Sequence, residues 1–413
     1  MLAGDVAFDC FLGQPISGKS RKSKSAAESL PSRYNNASQF ARAAALATMF
    51  LLTTCHMACV YSTEARGYAL AGAAAVFSTW ILRQIVVDAK TGTVRFHLIL
   101  VYFGLSAIGF LSHLSYATIY LPQIVWSVTL LFLRRCYSPI IGCHLPVFLL
   151  LAGLWLFDLQ YAKVGGAPRQ SAFWVGIEAL ALPTGAAYPD GLVLLCAAAT
   201  LVGFSIGLVY VFQRSPTDAW LWGLMLFCSP PLMLAMRSDG LIHARHFLVV
   251  WMTLFPMLGI GLVQIVSRSR NLVSVPVVLV LVCWLATNGW EFSRFATYGR
   301  GGFHRSAEWI VAEALKTNAG VNQPQTIGSD HDFRNSLVLS YYMPRIPNNE
   351  CLTYVKQGMW PAEGVDWVFV HKIDRNFIPP PEQQIGAWRY ELAHYEPFAA
   401  PIGWHWAIYR RMK

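Results

Sequence analysis

Residues 61–70 read Tyr-Ser-Thr-Glu-Ala-Arg-Gly-Tyr-Ala-Leu and lie between two long apolar runs, residues 41–60 and 68–87. About 20 consecutive apolar residues cross the hydrocarbon core of a bilayer, so each flanking run predicts a membrane-spanning helix. Glu64 and Arg66 are then expected at a membrane surface. Ionisable groups at membrane depth are costly and usually functional. The alternative is that Arg66 extends towards the headgroups while Glu64 favours the start of the next helix.

The composition of the whole chain supports a membrane protein. Of the 413 residues, 55% are hydrophobic and only 13% are charged, whereas soluble proteins contain about 25% charged residues. The formal net charge is +10, but the basic residues cluster in the first 42 residues and between the apolar runs. This distribution matches topology signals and anionic lipid headgroups better than a nucleic-acid groove. The predicted partner is therefore the lipid bilayer, and no nucleic acid is expected.

Three domains are predicted. Residues 1–40 form a disordered basic cytoplasmic arm, residues 41–290 a transmembrane helical domain, and residues 291–413 an extracytoplasmic α/β domain. About nine transmembrane helices are expected near residues 41–60, 68–87, 94–111, 114–133, 139–158, 191–212, 218–236, 247–266 and 272–289. In the long connection at 159–190, the stretch Phe173–Leu182 is amphipathic.

Basic residues predict the orientation of these spans. With the N-terminal arm in the cytoplasm, strict alternation also places the loops around Arg95, Arg135, Arg214 and Arg268 there, as the positive-inside rule requires. The opposite face receives the 61–70 stretch, the 159–190 loop and the C-terminal domain. The prediction is a multi-pass inner (plasma) membrane protein with a periplasmic or otherwise extracytoplasmic C-terminal domain.

The C-terminal part is more polar and alternates short helical and strand patterns. Helices are predicted at 305–317 and 333–342, and strands at 325–328, 367–371 and 404–409. The chain has no G-x-G-x-x-G, P-loop or G-x-S-x-G motif, which counts against a nucleotide-driven pump and a serine hydrolase. Its nine cysteines show no metal-ligand spacing, and no metal site is predicted.

Several motifs, taken in order, resemble those of a known family. They are the 61–70 stretch, Leu111-Ser-His-Leu-Ser-Tyr116, Arg245-His246-Phe247, the strand end Gly328-Ser-Asp330 and the apolar Trp-Val-Phe-Val strand. Together they resemble bacterial glycosyltransferases of the dolichyl-phosphate-mannose protein mannosyltransferase type (family 39-like), which have the GT-C fold. The resemblance covers about residues 41–413.

The resemblance implies transfer of a sugar from a polyprenyl-phosphate-linked donor to an acceptor on the outer face of the membrane. The leaving lipid phosphate develops negative charge that cations stabilise, a role that Arg66 and Arg245 fit, with His246 beside Arg245. Tyr68, His113 and Tyr116 fit contacts to the sugar. The alternatives are a tyrosine belt at the interface, a histidine with satisfied hydrogen bonds, and an arginine that anchors its helix. The sugar, the acceptor and the participation of a divalent metal are left open.

The carboxylate that acts as general base in this family has no obvious counterpart. The family begins with a further span and an acidic outer loop, whereas no comparable segment precedes Ala41. A general base must reach the acceptor hydroxyl, and Glu64 is the outer carboxylate next to the motif. Two readings stay open: a truncated form of an active transferase, and an inactive relative that binds lipid-linked sugar. A transporter is less favoured, because the spans contain almost no charge and no paired broken helices.

Overall fold

The computed structural model describes residues 37–62, 67–92, 94–161, 171–185, 191–236, 244–268, 274–298, 302–317, 324–372, 377–397 and 405–412. The chain folds as two compact units, Met1–Gly289 and Trp290–Lys413. The predicted N-terminal arm lies almost entirely outside the described residues.

The first unit is helical. Its helices are α1 (Ala37–Thr54), α2 (His56–Ser62), α3 (Tyr68–Thr91), α4 (Phe96–Ser112), α5 (Ala117–Leu133), α6 (Tyr137–Phe157), α7 (Ala172–Ala181), α8 (Gly191–Arg214), α9 (Pro216–Met236), α10 (Leu248–Arg268) and α11 (Ser274–Tyr298), whose last residues belong to the second unit. Short 3₁₀ turns lie at Leu114–Tyr116, Leu159–Tyr161, Leu182–Thr184 and Ala244–Phe247.

Helices occupy all nine positions at which a span is predicted. Within the described residues, six are long and apolar enough to cross a membrane: α3, α5, α6, α8, α9 and α10. Helix α4 is apolar but has only 17 residues, and α1 carries polar residues and Arg42 in its first turns. The structure therefore supports a multi-pass helical protein with six candidate spans, a coarser result than the nine predicted.

Helix α10 is the centre of this bundle. Of its most apolar window, 83% is buried inside the protein, against 56% or less for the other five candidate spans. It packs on α1, α3, α8 and α9. Small residues allow close approach: a Cβ added at Gly261 would lie 2.4 Å from the Gly203 carbonyl oxygen of α8. Small residues at helix crossings are typical of membrane bundles, where packing rather than water exclusion holds the helices together.

An ion pair joins two helices near one end of the bundle. Arg83 of α3 donates from Nε and Nη2 to the two carboxylate oxygens of Asp218 in α9, each at 2.9 Å. Both side chains are nearly buried. A bidentate pair satisfies the charge on both groups, so neither is a free ionic site.

Among its described residues, the second unit contains a six-stranded mixed sheet, the last residues of α11 and two further helices. The strands are β1 (Gln325–Ser329), β2 (Leu352–Tyr354), β3 (Trp367–Lys372), β4 (Glu382–Ile385), β5 (Trp388–Glu396) and β6 (His405–Arg411), in the order β2-β1-β3-β6-β5-β4. Strands β2, β1 and β3 are parallel, and the pairs β3–β6, β6–β5 and β5–β4 are antiparallel. The helices are α12 (Phe303–Thr317) and α13 (Asp332–Tyr342).

Alternation along β3 gives this sheet two covered faces. Trp367 and Phe369 point to one face, where they pack with buried residues of α12 and α13. Val368 and Val370 point to the other, where they pack with Tyr390 and Tyr409. The period of two explains why five consecutive residues of β3 are buried. The prediction of a mixed helix-and-strand domain is confirmed, whereas β2, β4 and β5 were not predicted.

Candidate functional site

Gly67 brings two of the predicted site residues together. It precedes α3 with φ 71°, and a Cβ added there would lie 2.2 Å from the carbonyl oxygen of Ser112. Only glycine tolerates this backbone conformation at such a short distance. The start of α3 therefore lies against the end of α4, and the Tyr68 ring stacks on the His113 ring with centroids 4.2 Å apart.

His113 is held in one orientation by the turn that follows it. Its Nδ1 accepts a hydrogen bond from the Ser115 backbone N–H at 3.1 Å and lies 2.8 Å from Ser115 Oγ. A neutral imidazole that accepts at Nδ1 carries its proton on Nε2. His113 is half-buried, and the sugar contact expected of it stays a prediction. The same contacts also fit the alternative of a histidine that caps a helix.

Tyr68 is enclosed on both sides. Tyr61 of α2 meets it edge-on, with ring centroids 5.3 Å apart, while His113 covers its other side. Tyr61 and Tyr68 are both buried. This arrangement differs from an interfacial tyrosine belt, in which each ring faces lipid and headgroups. Tyr68 packs against the ring of His113, and of the three side chains Tyr61, Tyr68 and His113, His113 is the most accessible.

Tyr116 lies deeper than its neighbours in the sequence. It is fully buried, and its hydroxyl lies 2.8 Å from Ser78 Oγ and 3.3 Å from Ser106 Oγ. A sugar would have to displace these partners to reach the hydroxyl. The structure thus separates Tyr116 from the Tyr68–His113 pair, and a sugar contact at Tyr116 stays a prediction.

Arg245 and His246 lie in the 3₁₀ turn Ala244–Phe247 that opens α10. This turn packs against α7, α9 and α10, and the fully buried Phe247 anchors it. The guanidinium Nε of Arg245 is shielded from solvent and has no hydrogen-bond partner among the described residues. A buried donor without a partner is costly, and an anionic oxygen would remove that cost.

The starts of α3 and α10 lie at the same end of the bundle. A Cβ added at Gly72 would lie 2.1 Å from Met252 Sδ, so these two residues touch. Gly72 lies four residues after Tyr68, the first residue of α3, and Met252 lies four residues after Leu248, the first residue of α10. Four residues span about 6 Å of helix. The Tyr68–His113 pair and the turn carrying Arg245 therefore occupy the same end of two neighbouring helices.

Two predicted residues, Glu64 and Arg66, lie outside the described residues. The roles expected of them as base and phosphate-binding cation stay predictions. Across the described part of the chain, no group of three or more His, Cys, Asp or Glu side chains is arranged to hold a metal ion.

A buried polar layer inside the bundle was not predicted. Gln123 Oε1 accepts from the Tyr102 hydroxyl at 3.0 Å, and Gln123 Nε2 donates to Ser78 Oγ at 3.1 Å. Nearby, His144 Nε2 lies 2.8 Å from Ser127 Oγ. Such side chains hydrogen-bond neighbouring helices to one another in a bilayer. The polar side chains of this layer are hydrogen-bonded to one another, which favours a role in packing. In the sequence, the only sign of the layer is the scattered Ser, Thr and Gln residues in the apolar runs.

A second polar cluster lies in the C-terminal sheet. Asp330 follows β1, and its Oδ1 accepts from His371 Nδ1 at 3.0 Å, from the His371 backbone N–H at 3.2 Å and from Asn335 Nδ2 at 3.3 Å. Lys372 Nζ lies 3.6 Å from the other oxygen, Oδ2. A carboxylate that holds Nδ1 of an imidazole fixes its tautomer and orientation.

The topology of the sheet explains why Asp330 and His371 meet. They end the parallel neighbours β1 and β3 at the same edge. After β1 the chain continues to β2 on one side, whereas after β3 it next enters β4 at the opposite edge of the sheet. In open α/β sheets, ligands bind outside the carboxyl ends of the strands at a switch point of this kind. Sequence reasoning could have found this pair, because His371 ends one predicted strand and Asp330 lies two residues after another.

The fold defines a class: a polytopic helical membrane-type protein with a C-terminal domain built on a mixed six-stranded sheet. Comparison of the chain with known protein families, with curated proteins and with solved structures found no match.

Proposed function

We propose that this protein is a membrane glycosyltransferase of the GT-C type. It takes a sugar from a polyprenyl-phosphate-linked donor and transfers it to an acceptor on the outer face of the membrane. In this reaction the bond between the sugar and the lipid phosphate breaks, and a bond forms between the sugar and an acceptor oxygen. The acceptor proton passes to a base, for which Glu64 is the candidate in the sequence.

The observation that carries the proposal is the environment of Arg245. Its Nε is buried without a partner among the described residues, at the bundle end where α10 begins. The phosphate group of a membrane lipid would bring anionic oxygens to this end of the helix bundle. Charge-assisted hydrogen bonds to such an oxygen are about twice as strong as neutral ones, and they stabilise the charge that develops as the phosphate leaves.

The Tyr68–His113 pair supports the same interpretation. It lies at the same bundle end as Arg245, where the pair would contact the sugar of a donor whose phosphate binds Arg245. Stacking on Tyr68 and the hydrogen bond from Ser115 hold the ring in place before a ligand binds. Such preorganisation reduces the entropy lost on binding.

A lipid-binding assay tests the proposal first. The full-length protein in detergent is titrated with undecaprenyl phosphate, and binding to Arg245→Gln is compared with the wild type. Hydrogen bonds to charged groups contribute about 1.5–3 kcal/mol, so the variant is expected to bind about 10- to 100-fold more weakly. Arg95→Gln is the matched control, because Arg95 is exposed and already paired with Asp88 at 2.9 Å. Equal binding by wild type and Arg245→Gln would reject the proposal.

A turnover assay separates the transferase from the inactive relative. Polyprenyl-phosphate mannose is supplied to the wild type with membrane extract as the source of acceptor, and release of free lipid phosphate is measured. Release that disappears in Arg245→Gln supports the transferase. Tight binding without release supports a protein that binds lipid-linked sugar but does not transfer it.

A further inference from the structure

A cavity of about 220 Å³ lies between α8 and α10. Its walls include Ser205, Val209 and Tyr210 from α8 and Gln264 and Arg268 from α10. It lies near the C-terminal ends of both helices, whereas Arg245 opens α10 at the other end. The cavity is therefore separate from the donor site proposed above.

Glycines explain where the two helices touch and where they part. A Cβ added at Gly207 would lie 2.1 Å from the Met257 carbonyl oxygen, and one at Gly261 would lie 2.4 Å from that of Gly203. The cavity lies beside these contacts, between Ser205 and Tyr210 of α8 and Gln264 and Arg268 of α10.

One guanidinium group lines the cavity and a second lies beside one of its walls. Arg268 is a lining residue, and the Arg214 guanidinium carbon lies 5.4 Å from the centre of the ring of Tyr210, another lining residue. With its amide oxygen turned towards Arg268, Gln264 accepts from Nε at 2.6 Å and Nη2 at 3.0 Å. Neither arginine forms an ion pair with a carboxylate among the described residues, so their positive charge is not neutralised within that part of the chain.

The remaining walls combine the apolar Ile206 and Val209 with Ser205 and Gln213, and one side opens outwards. Val209 lines the cavity and is 55% exposed on the surface of the bundle, next to the exposed Phe212. Phe40, in the first turns of α1, stacks on Tyr210 with ring centroids 4.5 Å apart. A molecule in this cavity would therefore meet positive charge at one end and the lipid-facing surface of the helices at the other.

We propose that the cavity binds an anionic phospholipid through its phosphate group. Basic pockets between helices at the cytoplasmic surface bind anionic headgroups, and the sequence predicts this end of the bundle to be cytoplasmic. Pockets for whole drug-sized molecules measure about 300–1,000 Å³. The smaller cavity therefore accepts the phosphate and glycerol region, while the acyl chains lie along Val209 and Phe212. Because the cavity opens on the lipid-facing surface, the ligand is a membrane lipid rather than soluble phosphate.

Native mass spectrometry of the full-length protein in detergent tests this site. The protein is titrated with dioleoylphosphatidylglycerol and with dioleoylphosphatidylcholine, which have the same acyl chains. Phosphatidylglycerol is expected to bind more tightly. A basic residue near a membrane surface contributes about 1 kcal/mol, so Arg214→Gln and Arg268→Gln should each weaken that binding about five-fold, with little effect on phosphatidylcholine.

Two further variants make the result specific. Arg135→Gln removes an exposed charge at the same predicted end of the bundle but away from the cavity, and it should leave binding unchanged. Ser205→Leu fills the cavity without altering any charge and should weaken binding of phosphatidylglycerol. Three outcomes would overturn the proposal: equal binding of the two lipids, an equal loss in Arg135→Gln, or displacement of phosphatidylglycerol by millimolar inorganic phosphate.

Discussion

Glu291 is a buried carboxylate in α11, just beyond the ninth predicted span. Its Oε2 has no hydrogen-bond partner among the described residues, and its Oε1 lies 3.7 Å from Arg294 Nη1. Burial raises the pKa of Glu291 above its ordinary value, and the charge of Arg294 offsets part of that increase. The folded protein therefore holds this proton more tightly than the unfolded chain does.

This shift predicts how Glu291→Gln changes stability with pH. Because its pKa is raised in the folded protein, Glu291 contributes to stability while it is protonated, below its unfolded-state pKa of about 4.5. That contribution is lost as the pH rises through the folded-state pKa. At pH 7 the wild type therefore carries a buried charge that the glutamine variant lacks. Glu291→Gln should unfold at a higher temperature than the wild type at pH 7, and the difference should disappear near pH 4. Differential scanning calorimetry in detergent measures both values.

Glu382→Gln provides the control for Glu291, because Glu382 is exposed on the edge strand β4. Its unfolding temperature should follow the wild type at both pH values. If Glu291→Gln is less stable than the wild type at pH 7, the carboxylate is needed in its charged form, and burial does not govern its contribution.

At the scale of the secondary-structure elements, Gly67 and Gly92 are a matched pair at the two ends of α3. They have nearly the same backbone conformation, with φ of 71° and 74°. A Cβ at Gly67 would collide with Ser112, whereas a Cβ at Gly92 would meet no atom within 4 Å. Alanine at either position is therefore strained by about 1–3 kcal/mol, but only Gly67→Ala also pushes two helices apart.

Gly67→Ala should consequently lower the unfolding temperature more than Gly92→Ala does. It should also weaken binding of undecaprenyl phosphate, because separating α3 from α4 breaks the stacking of Tyr68 on His113. Thermal unfolding and lipid titration of both variants provide the measurements. Equal effects of the two substitutions would mean that Ser112 moves aside and that the contact does not position the site.

Close packing of α8 on α10 gives a second prediction for the elements. Gly207→Ala places a methyl group against the Met257 carbonyl oxygen, and overpacking of this kind costs about 1–3 kcal/mol. Gly223→Ala in α9 meets no neighbouring atom within 4 Å and should be neutral or slightly stabilising. Thermal unfolding of the two variants in one detergent compares them. A stable Gly207→Ala would contradict the close approach of the helices.

At the scale of the whole molecule, the orientation in the membrane is a prediction that labelling can test. Leu114, exposed beside His113, is expected on the outer face, and the exposed Arg135 in the cytoplasm. In a variant without native cysteines, a membrane-impermeant maleimide added to intact bacterial cells should label Leu114→Cys. Arg135→Cys should react only after the cells are opened. The reverse pattern would invert the orientation and remove the basis for an outer active site.

Part of the candidate site could be predicted because short stretches encode it directly. Tyr68 follows the glycine that starts α3, and His113 ends α4, so their positions at helix ends follow from hydrophobic periodicity. Their stacking does not, because it depends on contact between the Gly67 backbone and Ser112. For Tyr116 the resemblance implies a contact to the sugar, but the hydroxyl is buried against Ser78 and Ser106. That burial depends on helices distant in the sequence.

The sequence by itself determined that the chain is a multi-pass helical protein with a mixed helix-and-strand C-terminal domain, because hydrophobic length and period are local properties. Only the tertiary structure decided which groups meet: Asp330 with His371 at the edge of a sheet, and Tyr210 with Arg268 in the walls of one cavity. Each pair is brought together by packing between segments more than 40 residues apart in the sequence. No local pattern encodes such a distance, because it depends on strand order and on where glycines allow helices to touch.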